Sequence, residues 1–287
     1  MSRSPVALVL IPARRASTRL PDKMLADLGG APLVVRTWQA ATRLRGARVA
    51  VCTDDDAIAE GVTAAGGEVV RTGAHPDGTS RVAEAARILR AGEPVLVGVP
   101  VLNLQGDEPF ATPAVLAAVL AGLQRAPIAT GSVPLAPEEA AAPSRVKVVT
   151  GPDGCARWFS RAAIPHGGPY RLHRGVYAFR PAALAHVAQL PPVAEVAGER
   201  LEQLHWLAHG LSIAVVPLEG LAGPGEGISV DTAEDLARAR AAWPGGALRG
   251  GVDPSPPHGE GDCMQSKYLF VTGGGRSRRG QGLSAAA

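Results

Sequence analysis

Four segments of the 287-residue chain gather side chains that could do chemistry. The first, IPARRASTRLPDK, puts Arg14, Arg15, Ser17, Thr18, Arg19 and Lys23 directly after an apolar run. Cations, hydroxyls and free backbone N–H groups at the carboxyl end of a strand suit a triphosphate, although the segment is neither a Walker loop nor a GxGxxG fingerprint and also reads as a solvated basic loop. The second, NLQGDEPF, ends an apolar run in Asn103, Gln105, Gly106, Asp107 and Glu108. A carboxylate beside a phosphate loop is a natural Mg2+ ligand, because that ion binds through one or two carboxylates together with substrate phosphates; Asp107 or Glu108 as a helix cap is the competing role. In the third, GISVDTAEDL, Asp231 reads as the N-cap of a last helix with Glu234 completing a box, or as a second metal carboxylate. The fourth is a dispersed polar set, Arg161, His173, Tyr177, Glu202 and Gln203, suited to a hydroxyl-rich acidic substrate. His173 and Tyr177 are four apart and share a face of either a strand or a helix.

These segments need a scaffold that collects strand ends. From Val6 to Thr150, short Val/Ile/Leu-rich runs (VALVLI, ARVAVCT, EVVRT, EPVLVGVPVLNLQ, PIATGSV) alternate with helical patterns at Pro32–Leu44, Asp55–Ala65, Thr79–Leu89 and Thr112–Leu123. That alternation predicts an α/β fold with a mostly parallel sheet and helices on both faces. Pro100 inside the fourth run predicts a bulge or short insertion there. Pro134–Ser144 reads as a surface excursion, followed by strands at KVVT, RWFS and GVYAFR, helices at Pro181–Leu190 and Glu199–His209, a strand at SIAVVP and a helix at Thr232–Trp243. A Gly/Pro-rich linker at 244–263 and a short tail at 264–287 follow a domain of residues 1–243.

Composition narrows the function. The 46% hydrophobic and 19% charged content argues against general disorder, no apolar run reaches membrane-spanning length, and the apolar stretch Val6–Ile11 is too short for a signal-peptide core, so a cytoplasmic address is expected. Cys52, Cys155 and Cys263 lie about a hundred residues apart, with neither metal-ligand nor disulfide spacing. The net charge is +3, but from Pro244 onward there are five basic and three acidic residues, leaving the first 243 residues close to neutral and arguing against a nucleic-acid face. Only three of 29 basic residues are lysines (Lys23, Lys147, Lys267), which marks them as positions where a compact point charge is wanted.

Taken together, IPAR-x-ASTRLP-x-K, the TDD segment, AAGGEVV, GTSR, QGDEP, VKVV, FSRA-x-IP, H-x-G-x-YAFR, LEQL and VDTAEDL resemble, in order, the 3-deoxy-manno-octulosonate (Kdo) cytidylyltransferase family, over Val6 to Ala242. The resemblance implies a nucleotide-diphospho-sugar transferase-like, Rossmann-like α/β fold, commonly a homodimer, converting CTP and Kdo to CMP-Kdo and pyrophosphate for lipopolysaccharide synthesis. It implies that Arg14, Ser17, Arg19 and Lys23 hold the CTP phosphates and that Arg81 helps read the cytosine. Asp107 and Asp231 would bind Mg2+, and with Arg14 and Lys23 form the catalytic set. Gln105, Arg161, His173, Tyr177, Glu202 and Gln203 would line the Kdo pocket, with Arg161 toward the carboxylate. Ser80 departs from the family pattern, which commonly has Glu there, and the IPHGGPYRLHRG connection is short. A CMP-sialate synthetase, another sugar nucleotidyltransferase or a catalytically silent nucleotide-binding protein are the competing identities; STRLP, QGDEP and LEQL favour Kdo. The tail MQSKYLFVTGGGRSRRGQGLSAAA resembles the opening of CTP synthase but has Gln281 where that pattern has Lys, so no phosphate binding is expected of it. A chain ended at Trp243 is therefore expected to release pyrophosphate from CTP as fast as the full chain in the same coupled assay.

Overall fold

The computed structural model describes residues 5–244 except Thr18, Ala222, Pro224 and Glu226. The expected tail at 264–287, and the linker from residue 245, lie outside the described residues.

One nine-stranded sheet organises the described chain. Its strands are β1 (Leu8–Pro12), β2 (Arg48–Thr53), β3 (Glu68–Arg71), β4 (Val101–Leu104), β5 (Ile128–Leu135), β6 (Lys147–Thr150), β7 (Ala156–Ser160), β8 (Tyr170–Phe179) and β9 (Ile213–Pro217). The order along the sheet is β3-β2-β1-β4-β8-β5-β9, with β6 and β7 added beside β8. Strands β3, β2, β1 and β4 run parallel, β8 is inserted antiparallel between β4 and β5, and β9 is parallel to β5. Seven α-helices connect them: α1 (Leu33–Thr42), α2 (Asp56–Ala64), α3 (Gly78–Gly92), α4 (Pro113–Ala121), α5 (Pro181–Val187), α6 (Glu202–Ala208) and α7 (Ala233–Ala242).

Strand alternation explains why the sheet is covered on both faces. In β1 and β2, Leu8, Leu10, Ala50 and Cys52 join Val82 and Leu89 of α3, Leu184 of α5, and Leu204 and Trp206 of α6. Their neighbours Val9, Ile11, Val49 and Val51 join Val34 of α1, Ile58 and Val62 of α2, and Leu116 and Val119 of α4. A strand apolar at every position is stable only where helices cover both sides, as its sequence foretold.

Three local expectations are corrected. The run EPVLVGVPVLNLQ is not one continuous strand: where a bulge or short insertion was expected, a 3-10 turn at Pro94–Leu96 and Gly98 at φ 89 interrupt it, and β4 begins only after Pro100. Proline lacks an N–H for the ladder but keeps its carbonyl, and Pro100 O accepts from Leu8 N at 2.9 Å. The helix expected from Glu199 starts at Glu202; Ala194–Glu199 form a 3-10 turn and Arg200 is left-handed. Strand β8 extends five residues further toward the N-terminus than GVYAFR indicated, because Tyr170–Arg174 pair with β5.

Helix α7 closes the described fold. It packs Leu236 and Ala239 against Leu28, Leu33 and Val230. At its end Trp243 lies 5.4 Å from the Phe110 ring, with the Arg36 guanidinium 5.0 Å from its own centroid. Gly29, at φ 61, brings backbone so close that a β-carbon there would stand 2.4 Å from the Trp243 ring. Trp243→Ala should destabilise the fold by about 2 kcal/mol, measured by urea denaturation, through lost apolar burial and ring contacts.

Candidate active site

A cavity of about 370 Å3 opens beside the carboxyl ends of β1 and β4, within the size range of small-molecule sites. Of the sequence-derived residues, Arg19, Gln105, Asp107, Arg161, His173, Tyr177, Glu202, Gln203 and Asp231 line it. Lys23 stands just behind the wall, bonded to two of these residues. Arg14, exposed, and Ser17, half-buried, remain on the loop after β1 and do not reach the wall.

The two carboxylates converge from distant parts of the chain. Asp107 follows Gly106, where an added β-carbon would lie 2.8 Å from Met24 Sδ and 3.1 Å from Pro12 O, so the β4 loop can press against the β1 loop only with glycine there. Thr37 Oγ1 of α1 donates to Gly106 O at 2.8 Å and pins that turn. Asp107 O accepts from Val230 N at 3.0 Å, which places Asp231 alongside. Lys23 Nζ bridges the pair, 2.6 Å from Asp107 Oδ2 and 3.1 Å from Asp231 Oδ1, and Arg19 Nη2 adds a contact to Asp231 at 3.0 Å. Burial acts to lower the pKa of Lys23, but Asp107 and Asp231 outweigh it and hold the ammonium above its ordinary value.

Both carboxylates are free of capping duty, which corrects the N-cap reading of Asp231. Thr232 caps α7 and forms the capping box with Asp235, not Glu234, while Thr112 caps α4 in place of Asp107 or Glu108. Among the described residues no group of three or more His, Cys, Asp or Glu side chains is disposed to hold a metal. Two carboxylates converging on one cation position nevertheless fit Mg2+, which completes its shell with substrate oxygens and water.

The opposite wall belongs to β8 and its neighbours. Between Thr130 and Gly131 of β5 the register jumps from Tyr177 to Arg174, an irregularity in β8. Four residues of regular strand span about 13 Å, yet the His173 and Tyr177 rings have centroids 5.2 Å apart. The Thr130 hydroxyl lies 3.0 Å from His173 Nε2 and donates to Val176 O at 2.8 Å. Burial, with help from Arg174, pushes the His173 pKa down to about 3, so the imidazole is a neutral hydrogen-bonding group; burial and Glu202 drive Tyr177 well above its ordinary value. Glu202 is raised to about 7 by burial and then by Asp77, although Thr79 and the backbone N–H groups of Gly78 and Thr79 donate to it.

Arg174, Arg145, Arg200 and Ser229 of the wall were not singled out from sequence, and Glu108 and Lys147 were named there without their partners. Arg174 and Glu108 form a buried pair at 2.7 Å, in which desolvation outweighs the guanidinium and leaves the Glu108 pKa raised. Arg145, Arg200 and Ser229 also line the cavity. Lys147 is fully buried and donates to Ala142 O at 3.2 Å and Arg161 O at 2.6 Å; burial lowers its pKa. Its rarity as a lysine was the available signal. Arg161 is fixed in turn, donating from Nε to Glu199 O at 2.9 Å and from Nη1 to Pro143 O at 3.0 Å. Arg81 lies away from the wall: only 3% exposed, it contacts Asp54 Oδ1 at 3.1 Å, Thr72 Oγ1 at 2.7 Å and Gly73 O at 3.2 Å.

The cytidylyltransferase family matches residues 8–213 of this chain. The 3-deoxy-manno-octulosonate cytidylyltransferase of Anaeromyxobacter dehalogenans (strain 2CP-C) is 46% identical over 247 residues, covering 83% of this chain and 98% of that relative. Its counterpart in Methylococcus capsulatus is 42% identical over 251 residues, covering 81% and 95%. A solved CMP:2-keto-3-deoxy-manno-octonic acid synthetase complexed with CTP is 35% identical, with a TM-score of 0.72 over 82% of this chain and 97% of that one. The 4-diphosphocytidyl-2C-methyl-D-erythritol synthase of Anaerococcus prevotii, 14% identical at a TM-score of 0.53, shares the fold alone.

The Glu202 carboxyl supplies a pH test. Its folded-state pKa of about 7 lies above the ordinary 4.5, so the folded protein binds the extra proton and this group's contribution falls as pH rises through that window. Glu202→Gln cannot ionise, so its stability relative to the parent should rise between pH 4.5 and pH 8; urea denaturation of both proteins at each pH gives the difference, and a flat difference refutes the shift.

Proposed function

The chain belongs to the 3-deoxy-manno-octulosonate cytidylyltransferase family, and from that membership we propose that it activates Kdo, converting CTP and Kdo to CMP-Kdo and pyrophosphate. The convergence of Asp107 and Asp231 on one cation position at the mouth of an arginine-lined cavity carries this reading.

The anomeric hydroxyl oxygen attacks the α-phosphorus in line and loses its proton to solvent, the new C–O–P linkage forms, and the bond to the β-phosphate oxygen breaks with its electrons leaving on pyrophosphate. Such a reaction depends mainly on alignment and charge neutralisation. Arg14, Ser17, Arg19 and Lys23, on or next to the loop after β1, hold the triphosphate. Asp107 and Asp231 would hold Mg2+, which would supply Lewis-acid withdrawal of electron density from the phosphate oxygens. Arg81 frames the base site by fixing Asp54 and the Gly73 carbonyl.

On the sugar side, neutral His173, Tyr177, Gln105, Gln203 and Glu202 offer donors and acceptors to hydroxyls, and Arg161 faces the carboxylate. The family membership also supports lipopolysaccharide synthesis as the setting. Among the described residues no helix is long and apolar enough to cross a membrane. We assign the protein to the cytoplasm, as a homodimer, with no nucleic-acid or membrane partner.

Pyrophosphate release measured with CTP and either Kdo or a sialic acid, with and without Mg2+, tests the function; release should require Kdo and the metal. Asp107→Ala should lower turnover by about two to three orders of magnitude with an unchanged circular dichroism spectrum. Near-normal turnover of that variant at saturating Mg2+ overturns the metal assignment.

A further inference from the structure

Arg200 combines two features that its immediate sequence does not explain. Its backbone is left-handed, at φ 52 and ψ 46, a conformation glycine adopts freely and a β-carbon disfavours. Among the described residues only one other non-glycine residue, Asp22, has positive φ, and it precedes Lys23 as Arg200 precedes the Leu201–Glu202–Gln203 stretch of the cavity wall. Arg200 ends the Ala194–Glu199 3-10 turn in this left-handed conformation, and the chain turns there into the cavity wall.

The second feature is an uncommitted charge. Five arginines line the cavity. Arg19 is paired with Asp231, Arg174 with Glu108 and Arg145 with Glu139, while Arg161 donates to the Glu199 and Pro143 carbonyls. Arg200 is exposed, and its guanidinium has no hydrogen bond or ion pair among the described residues. Arg161 is bonded to both the main chain and the side chain of Glu199, the residue adjoining Arg200, and both arginines line the cavity.

We propose that Arg200 determines specificity for the acid form of the sugar: its free guanidinium fork takes the substrate carboxylate together with Arg161, and the left-handed backbone presents it there. The proposal rests on reading the cavity as the sugar-acid site. A planar fork matches a carboxylate bidentately, and a charge-assisted contact of this kind contributes about ten- to a hundredfold in affinity.

Substitution by glycine separates side chain from backbone, because glycine keeps the left-handed turn without strain. In steady-state pyrophosphate release, Arg200→Gly should raise KM for Kdo by about tenfold or more, with kcat and KM for CTP within about twofold of the parent and a thermal midpoint at or above the parent's. Arg200→Lys, which keeps the charge but loses the fork, should fall between parent and Arg200→Gly in KM for Kdo. An unchanged KM for Kdo in Arg200→Gly overturns the proposal alone. So does a fall of kcat with a rise of both KM values and a lowered thermal midpoint, which marks a purely structural role. No Kdo-dependent release from the unaltered chain overturns the functional reading and this proposal with it.

Discussion

Two carboxylates cannot be held at one point without a cation between them, and the geometry around the cavity follows from that constraint. Like charges a few ångströms apart in a partly buried site repel by several kcal/mol unless neutralised. Asp107 and Asp231 are brought together by the hydrogen bond from Val230 to Asp107 and share the Lys23 ammonium. Gly106 permits the approach of the loops, Thr37 fixes it, and Thr232 with Asp235 frees Asp231 from the helix end. The Lys23 ammonium neutralises both carboxylates and so holds them at one point.

The opposite wall of the cavity uses a different device. Charge there is fixed to the scaffold through neutral main-chain groups as well as carboxylates. Lys147 and Arg161 both donate to carbonyls, and Glu199 is engaged by the Ser160 hydroxyl and by Arg161. Cations compensated by carbonyl dipoles keep more of their field than cations in tight ion pairs, so this wall remains attractive to an anion. The buried Arg174–Glu108 pair supports it from behind, at a desolvation cost its short contact offsets only in part.

Much of this was legible in the sequence because the relevant signals are local. The βα alternation, the strand ends carrying Arg19 and Asp107, and the carboxylate at 231 follow from periodicity and motif, and the structure collects most of the named residues around one cavity. What escaped depends on three-dimensional competition. Thr232 outcompeted Asp231 as the cap because the Asp231 side chain is held by Lys23, 208 positions away. Pro100 marks an interruption of its run, but the Pro94–Leu96 turn and the left-handed Gly98 that make it were not foreseen. Arg145 and Arg200 stand outside every recognisable motif, and only the β6–β8 pairing and the turn before α6 bring them to the wall.

The Trp243 clasp bears on when the site comes into being. The helix it anchors begins two residues after Asp231, whereas Lys23 and Asp107 are synthesised far earlier. A nascent chain can lay down most of its sheet with the ammonium and one carboxylate already paired, yet it lacks the second carboxylate until the last described helix has left the ribosome and docked. The convergence of Asp231 on Lys23 and Asp107 is thereby a late event, tied to completion of the last described helix.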